Sequence, residues 1–195
     1  MSDQLLIETR GPALWLTINR EDRRNAMNAD VLDGVARGID QANGDSSIRA
    51  VVLTGAGDKA FCAGGDLQSG DPFGIDYSRP EGAGARVFRK AAASTVPMIA
   101  RVNGACMAGG IGLMAMCDFA IATSTAIFGL PEVKVGVFPA QVLTVLQHLV
   151  PRRRLVELCL TGEPVGAEAA RELGLITAVS DDLDAAVDKL VSRLV

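Results

Sequence analysis

The 195-residue chain has 49% hydrophobic residues, 22% charged residues and a formal net charge of −4. This composition excludes a wholly disordered chain and predicts one globular α/β domain over residues 1–195 with a substantial core. The acidic balance gives no support to a nucleic-acid-binding surface, which is normally basic.

The first elements along the chain predict a hairpin. Residues Leu5 to Thr9 and Ala13 to Asn19 alternate apolar and polar side chains on either side of Gly11-Pro12. Alternation around a glycine-proline turn is typical of two antiparallel strands. The chain is therefore expected to open as antiparallel sheet.

A polar loop, a helix and a buried strand are predicted next. The charged loop from Asn19 to Met27 is expected at the surface, and Asn28 is placed to cap the helix that follows. The run from Ala50 to Thr54 is apolar and β-branched, which suits a strand buried on both faces. The apolar positions that recur at helical spacing are Val31, Leu32, Val35 and Ile39.

The middle of the chain contains a first glycine turn. The apolar segment Ala60-Phe61-Cys62-Ala63 ends in Gly64-Gly65, and Asp66 is placed as an N-cap. The composition from Gln68 to Gly82 predicts a long functional loop, since idle loops of that length are uncommon in compact domains. A helix from about Ala83 to Ser94 follows.

A second glycine turn lies in the stretch from Val102 to Asp118, after a strand predicted at Met98 to Val102. Gly109, Gly110 and Gly112 precede an apolar helical pattern, so the backbone N–H groups of a helix start are accessible to a ligand. Two interpretations remain open from the stretch alone: an anion-holding turn, or a close crossing of packed elements. A phosphate-binding P-loop is excluded because Gly110 stands where its lysine belongs.

The last third predicts a strand, an apolar turn-rich segment and four helices. Phe119 to Thr123 is the strand, and Glu132 is the only acid between Ala126 and Pro139. Gly162 and Gly174 stand where helix ends are expected. The predicted helices are Gln141 to Leu149, Arg152 to Thr161, Gly166 to Leu173 and Asp182 to Leu194.

The cysteines and the lone histidine bear on compartment and metal content. The four cysteines have apolar surroundings and no CxxC spacing, which indicates reduced, buried thiols in a reducing compartment. One histidine, His148, disfavours a zinc site. The longest uncharged apolar stretch is too short for a membrane span of about 20 residues. No targeting signal is recognised, so a cytoplasmic location is expected.

Both glycine turns and the lone acid occur in an order that resembles the crotonase family, the enoyl-CoA hydratase/isomerase superfamily. The resemblance covers nearly the whole chain. No single motif carries it; the order and spacing of the motifs together do. It implies a spiral of repeated β-β-α units over about residues 1–140 and a helical part over about 141–195. The matching motifs are Asn19…Asn25-Ala26, Ala60 to Leu67, Asn103 to Asp118, Phe128-Gly129-Leu130-Pro131-Glu132 and Leu160-Thr161-Gly162 to Gly174-Leu175.

The resemblance implies that two backbone N–H groups stabilise the enolate oxyanion of an acyl-CoA thioester. By motif these belong to Gly65 and Gly109. Removing one such donor typically costs about 2.7–4 kcal/mol of transition-state stabilisation, so the two turns must be rigid. The resemblance implies no redox or metal cofactor, and it implies that the substrate is carried as a coenzyme A thioester.

The residues expected near the coenzyme A adenine and phosphates are Arg24, Ala26, Asp66 and Leu67. Arg24 is equally well explained as an exposed loop arginine. Asp66 is better explained as a structural cap than as a direct ligand.

The acid–base residues depart from the hydratase pattern. A hydratase of this family places one glutamate three residues after the second oxyanion glycine and another in the Pro-Glu pair; here the positions hold Gly112 and Glu132. Water addition needs the water positioned and deprotonated while a proton reaches carbon 2, so the loss of one carboxylate should cost orders of magnitude in rate, whereas moving a double bond from position 3 to position 2 needs only one base. Glu132 is therefore the predicted base, with a pKa raised by its apolar surroundings. A helix-start acid is the alternative interpretation of Glu132.

The expected function is 3-enoyl-CoA to 2-enoyl-CoA isomerisation, with weak hydratase activity or a non-catalytic acyl-CoA-binding subunit as alternatives. Dienoyl-CoA isomerisation is disfavoured, because Ala140 stands where that activity needs a further acid. The acyl tunnel is expected along the loop from Gln68 to Gly82 and around Phe138 and Val142. The family's trimer or dimer of trimers uses C-terminal helices, the last of which are expected to be missing from these residues.

Overall fold

Two sheets and seven helices form the part of the chain that the computed structural model describes, residues 3–68 and 82–194. The strands are β1 (Leu5–Arg10), β2 (Ala13–Ile18), β3 (Ala50–Gly55), β4 (Ala60–Cys62), β5 (Met98–Val102), β6 (Ala105–Met107), β7 (Phe119–Ala122), β8 (Ile127–Gly129), β9 (Val165–Gly166) and β10 (Ala178–Val179). The helices are α1 (Ala29–Gly44), α2 (Ala83–Ala92), α3 (Gly109–Ala115), α4 (Ala140–Leu146), α5 (Arg152–Thr161), α6 (Ala167–Glu172) and α7 (Leu183–Leu194). Short 3-10 helices span Glu21–Arg23 and Pro131–Val135.

The larger sheet has the strand order β1-β2-β3-β5-β7-β10. The predicted hairpin is confirmed, since β1 pairs antiparallel with β2, and the other neighbours run parallel. All six residues of β3 are buried, as its run of apolar side chains predicts. This sheet is the central layer on which the helices pack.

The smaller sheet has the order β4-β6-β8-β9, and β4, β6 and β8 are mutually parallel. The pairs Ala60↔Ala105 and Cys62↔Cys106 show that β4 contains one residue more than β6 at this point, which is a β-bulge at Phe61. Strand β6 was not predicted, because three residues between turns carry too little pattern. Parallel pairing brings the carboxyl ends of β4, β6 and β8 to one edge of this sheet.

Helix boundaries follow the predicted signals with small shifts. Asn28 caps α1 by accepting a hydrogen bond from Val31 N–H at 3.1 Å, and Gly162 ends α5 with φ +62°. Helix α3 ends at Ala115 instead of Asp118. The Asp118 carboxylate accepts a hydrogen bond from Met98 N–H at 2.8 Å, so it serves the start of β5 and not the helix.

The core lies on both faces of the larger sheet. One face packs against α1 to α6, and the other is covered by α7 through Leu183, Val187 and Val191. The four cysteines are free and buried, as predicted. Within residues 3–68 and 82–194, no helix combines the length and apolar character that crossing a membrane requires.

Candidate active site

Three functional groups predicted from the sequence follow three neighbouring strand ends. Strand β4 leads to Gly65, β6 leads to Gly109, and β8 leads to Glu132. Neighbouring strands are about 4.8 Å apart, so turns that leave the same edge of a sheet lie side by side. The small sheet thereby brings residues distant in sequence to one place, the edge where ligands bind in open parallel sheets.

The two glycine turns touch each other. A Cβ added at Gly64 would lie 2.8 Å from the Ala108 Cβ and 3.5 Å from the Gly109 nitrogen. A Cβ added at Gly109 would lie 4.0 Å from the Gly65 nitrogen. The N–H groups of Gly65 and Gly109 therefore occupy one small region, and a side chain on either turn would intrude on it.

Within the described part of the chain, neither N–H group donates to another backbone group. Met27 donates its N–H to Gly64 O at 2.7 Å and accepts from Asp66 N–H at 2.8 Å, so the bridge uses the two neighbours of Gly65 and not its own N–H. Gly109 is the first residue of α3, where an N–H has no acceptor within the helix. Two such donors form the arrangement that stabilises a developing oxyanion.

Ala108 reaches this turn in a strained conformation, with φ +50° and ψ −126°. An L-residue rarely adopts positive φ, and such strain is of order 1–3 kcal/mol. Its N–H donates to Gly129 O at 2.9 Å, which fixes the turn to the end of β8. The surrounding hydrogen bonds thus hold the second donor at a defined position.

Glu132 is a buried acid, 9% exposed, in the first turn of the 3-10 helix Pro131–Val135. Among the described residues its Oε2 atom is the one buried side-chain polar atom without a hydrogen-bond partner. Burial raises the pKa of this carboxyl, as the sequence predicted. Its charge also contributes to the raised pKa of the Cys159 thiol, after the larger effect of burial. A desolvated carboxylate with an open oxygen has the properties of a general base.

The position that would hold a second glutamate is enclosed by apolar atoms. A Cβ added at Gly112 would lie 2.8 Å from Phe88 Cζ and 3.4 Å from Val142 Cγ2. Phe88 belongs to α2 and Val142 to α4, so two helices close this side of α3. The Met27 methyl group lies over Gly109 in the same way, 2.5 Å from a Cβ added there.

The loop beside the first glycine turn is more ordered than its charge suggested. Asn25 is 1% exposed, with φ +56°; its Oδ1 accepts from Arg20 N–H, and its Nδ2 donates to Ala56 O and Ala60 O. Arg20 donates to Ala26 O at 2.5 Å and pairs with Asp66 at 2.6 Å. These contacts fasten the loop to β4 and to the turn that carries Gly65.

The four residues predicted near coenzyme A lie around this loop and the adjoining turn. Arg24 is exposed, and its carbonyl accepts a hydrogen bond from Ala63 N–H at 3.0 Å. Ala26 is buried, whereas Leu67 is 62% exposed. Asp66 accepts a hydrogen bond from Arg20, which lowers its pKa, and another from Gln68 N–H at 3.0 Å. These bonds are the contacts of a structural carboxylate; a helix capped by Asp66 would fall outside the described residues.

The acyl-tunnel prediction is covered in part by the described residues. Val142 lies against the Gly112 face, and Phe138 is 58% exposed. Most of the loop from Gln68 to Gly82, residues 69–81, lies outside the described residues. Three residues that the sequence did not single out, Arg20, Met27 and Phe88, contribute to the site. For Phe88 the available sequence signal is Gly112, since a glycine within a helix leaves room for a large neighbouring side chain.

Residues 9–195 match the family described as enoyl-CoA hydratase/isomerase. The chain is 36% identical over 179 residues to the short-chain-enoyl-CoA hydratase of Clostridium acetobutylicum, covering 91% of this chain and 69% of that protein. It is 34% identical over 196 residues to the crotonyl-CoA hydratase of Syntrophomonas wolfei, covering 98% of this chain and 75% of that protein.

Solved structures give the same result. The enoyl-CoA hydratase of Mycobacterium smegmatis superimposes with a TM-score of 0.91 at 34% identity, covering 99% of this chain and 77% of that one. The predicted family and α/β fold class are both confirmed. The chain therefore belongs to the enoyl-CoA hydratase/isomerase family, the crotonase family of enzymes.

Proposed function

We propose that this chain moves the double bond of a 3-enoyl-CoA thioester to position 2, with Glu132 as the single base. The Glu132 carboxylate removes a proton from carbon 2, and the electron pair passes into the thioester carbonyl to give an enolate. The N–H groups of Gly65 and Gly109 donate hydrogen bonds to the enolate oxygen. Protonated Glu132 then returns the proton to carbon 4 while the electron pair re-forms the carbonyl and leaves the double bond at position 2.

One observation carries this proposal: Glu132 is present, whereas the second carboxylate that water addition uses is absent from its expected position. Gly112 stands at that position, and Phe88 and Val142 occupy the space around it. The open Oε2 of Glu132 and its raised pKa support a base that exchanges one proton between two carbons of one substrate. Neither step needs a bound water or a metal or redox cofactor.

Hydration of a 2-enoyl-CoA is the second candidate, and the names of the relatives favour it. Two of them are a short-chain-enoyl-CoA hydratase and a crotonyl-CoA hydratase. Hydration would join the water oxygen to carbon 3 while carbon 2 accepts a proton, so one carboxylate would have to position the water, take one proton from it and deliver a proton to carbon 2. We expect such a reaction to be slower than isomerisation by orders of magnitude.

The coenzyme A portion of the substrate is proposed to lie near Arg24, Ala26, Asp66 and Leu67. A homotrimer or a dimer of trimers in the cytoplasm is proposed as the working form. Support for an assembly comes from large apolar side chains on the surface, which are commonly covered by a partner. Among the described residues the most exposed are Leu160 at 64%, Val135 at 63%, Leu67 at 62% and Phe138 at 58%.

A substrate panel tests the proposal. Wild type, Glu132→Gln and the exposed control Glu163→Gln are assayed with 2-enoyl- and 3-enoyl-CoA substrates of several chain lengths. Wild type should isomerise 3-enoyl-CoA, and Glu132→Gln should lose about 100-fold or more of that rate while binding acyl-CoA as before. Glu163→Gln should match wild type, because Glu163 pairs with Lys134 at the surface.

Three results would contradict the proposal. Rapid hydration of 2-enoyl-CoA without isomerisation would favour the hydratase. Turnover that survives Glu132→Gln would place the base elsewhere. Binding of acyl-CoA without turnover of any substrate would identify a non-catalytic subunit.

A further inference from the structure

We infer that Phe88 determines the reaction preference of the site: its ring fills the space beside Gly112 and keeps an activated water from the carbons that exchange a proton with Glu132. This inference rests on the proposed function, which it deepens by naming the residue that favours isomerisation over hydration. Phe88 is a specificity-determining residue here and takes no part in proton transfer.

The first step is the position of the ring relative to the oxyanion donors. Gly112 follows Gly109 by three residues in α3, so both lie on one face of the helix, about one turn apart. Phe88 Cζ and Cε1 would lie 2.8 and 3.5 Å from a Cβ added at Gly112. The ring edge therefore occupies the place where a side chain at 112 would begin.

The second step is that the ring is held in place by its helix. Val87 and Ala91 of α2 are buried, so α2 presents a fixed face to the core. Arg86 pairs with Asp33 of α1, and Lys90 pairs with Asp40 of the same helix. Phe88, between these anchors, cannot leave the Gly112 face without a rotamer change or a shift of α2.

The third step is the chemistry of the enclosure. A water that attacks carbon 3 must be oriented by hydrogen-bond acceptors and must lose a proton to one of them. Among the described residues, the side chains nearest to a Cβ added at Gly109 or Gly112 are the Phe88 ring, Val142 and the Met27 methyl group, and none of these accepts a strong hydrogen bond. The substrate carbons thus meet an apolar wall where a hydratase has a carboxylate.

The fourth step is that glycine and phenylalanine depend on each other at this contact. Even an alanine at 112 would place its Cβ under 3.0 Å from the ring, so a glutamate there cannot be accommodated while Phe88 keeps its position. Adding the acid alone is therefore insufficient. Removing the ring and adding the acid together should open a hydration path.

The activity test uses Gly112→Glu, Phe88→Ala, the double variant and the control Phe119→Ala. Phe119 is half-buried like Phe88 but packs against the second core cluster, under α7. The double variant should hydrate 2-enoyl-CoA about 100-fold faster than Gly112→Glu. Phe88→Ala alone should raise the ratio of hydration to isomerisation, and Phe119→Ala should leave that ratio at the wild-type value.

A stability measurement tests the contact without reference to activity. Gly112→Ala should lower the urea midpoint of unfolding in the wild-type background and lower it less in the Phe88→Ala background, where the ring is gone. Equal effects in both backgrounds would overturn the inference, because the two residues would then be independent. Hydration by Gly112→Glu equal to that of the double variant would also overturn it.

The outcomes separate this inference from the proposed function. If wild type fails to isomerise 3-enoyl-CoA and the double variant still gains hydration over Gly112→Glu, the isomerase proposal fails and the role of Phe88 in excluding water stands. If wild type isomerises and the double variant gains no hydration, the proposal stands and the role assigned to Phe88 fails.

Discussion

Replacing Asn25 by alanine should destabilise the whole domain, because this side chain is buried and makes three hydrogen bonds to backbone groups. Its partners are Arg20 N–H at 3.1 Å, Ala56 O at 2.9 Å and Ala60 O at 2.7 Å. Each bond contributes about 1 kcal/mol net. Alanine at φ +56° adds a left-handed penalty of about 1 kcal/mol, since asparagine tolerates that conformation better. The expected loss of unfolding free energy is about 4 kcal/mol.

Urea unfolding followed by circular dichroism measures this loss. Asn25→Gly should lose about 3 kcal/mol, because glycine removes the same bonds without the backbone penalty. Asn43→Ala is the matched control: Asn43 is exposed and accepts hydrogen bonds from Thr95, so water replaces them and the loss should stay under about 1 kcal/mol. A loss for Asn25→Ala no larger than for Asn43→Ala would refute the assignment of this loop as a buried hydrogen-bonded anchor.

Three further predictions concern the glycine turn, the base and the thiols. Gly64→Ala should lose about 1–3 kcal/mol of unfolding free energy and about 100-fold of turnover, since φ at Gly64 is +100° and the added Cβ would meet Ala108. Gly44→Ala is the control: open space surrounds Gly44, so this variant should keep both its unfolding free energy and its turnover. Glu132→Gln should be more stable to urea than wild type at neutral pH. The folded state raises the pKa of Glu132, so the stability that this residue contributes is highest below the unfolded-state pKa and falls as pH rises through the folded-state pKa. The stability advantage of Glu132→Gln over wild type should therefore vanish in acid. A stability difference that does not depend on pH would contradict this. Burial raises the pKa of Cys62 to about 12, so a thiol-reactive dye at mildly alkaline pH should label it only after unfolding, and labelling of the native protein would argue against the buried environment.

Elements with a strong local signal were predictable from the sequence. The β-branched run of β3, the capping side chain of Asn28 and the αL glycine at 162 each determine structure through their own conformational preferences, and all three predictions are confirmed. Strand β6 lacks such a signal, since it has only three residues between two turns. Its pairing with β4 and β8 depends on contacts that periodicity does not contain.

The candidate site also has parts that the sequence predicts and parts that it does not. Motif order assigns the backbone donors to Gly65 and Gly109, and the structure brings the two turns that carry them together, while their catalytic role stays a prediction. The loop around Asn25 was expected at the surface because of its charges, yet one polar residue within it is buried by long-range hydrogen bonds. Phe88 was missed because its contact with Gly112 joins two helices and is visible only in three dimensions.

The β-bulge in β4 has a consequence for how this chain tolerates changes of length. One extra residue at Phe61 sets which way the next turn faces, and side chains and N–H groups alternate in direction along a strand. Deleting one residue there would bring β4 into regular register with β6 and turn the Gly65 N–H away from Gly109. We therefore expect insertions and deletions to be accepted in exposed turns such as the one at Gly44 and rejected between Ala60 and Gly65, where the number of residues matters as well as their identity.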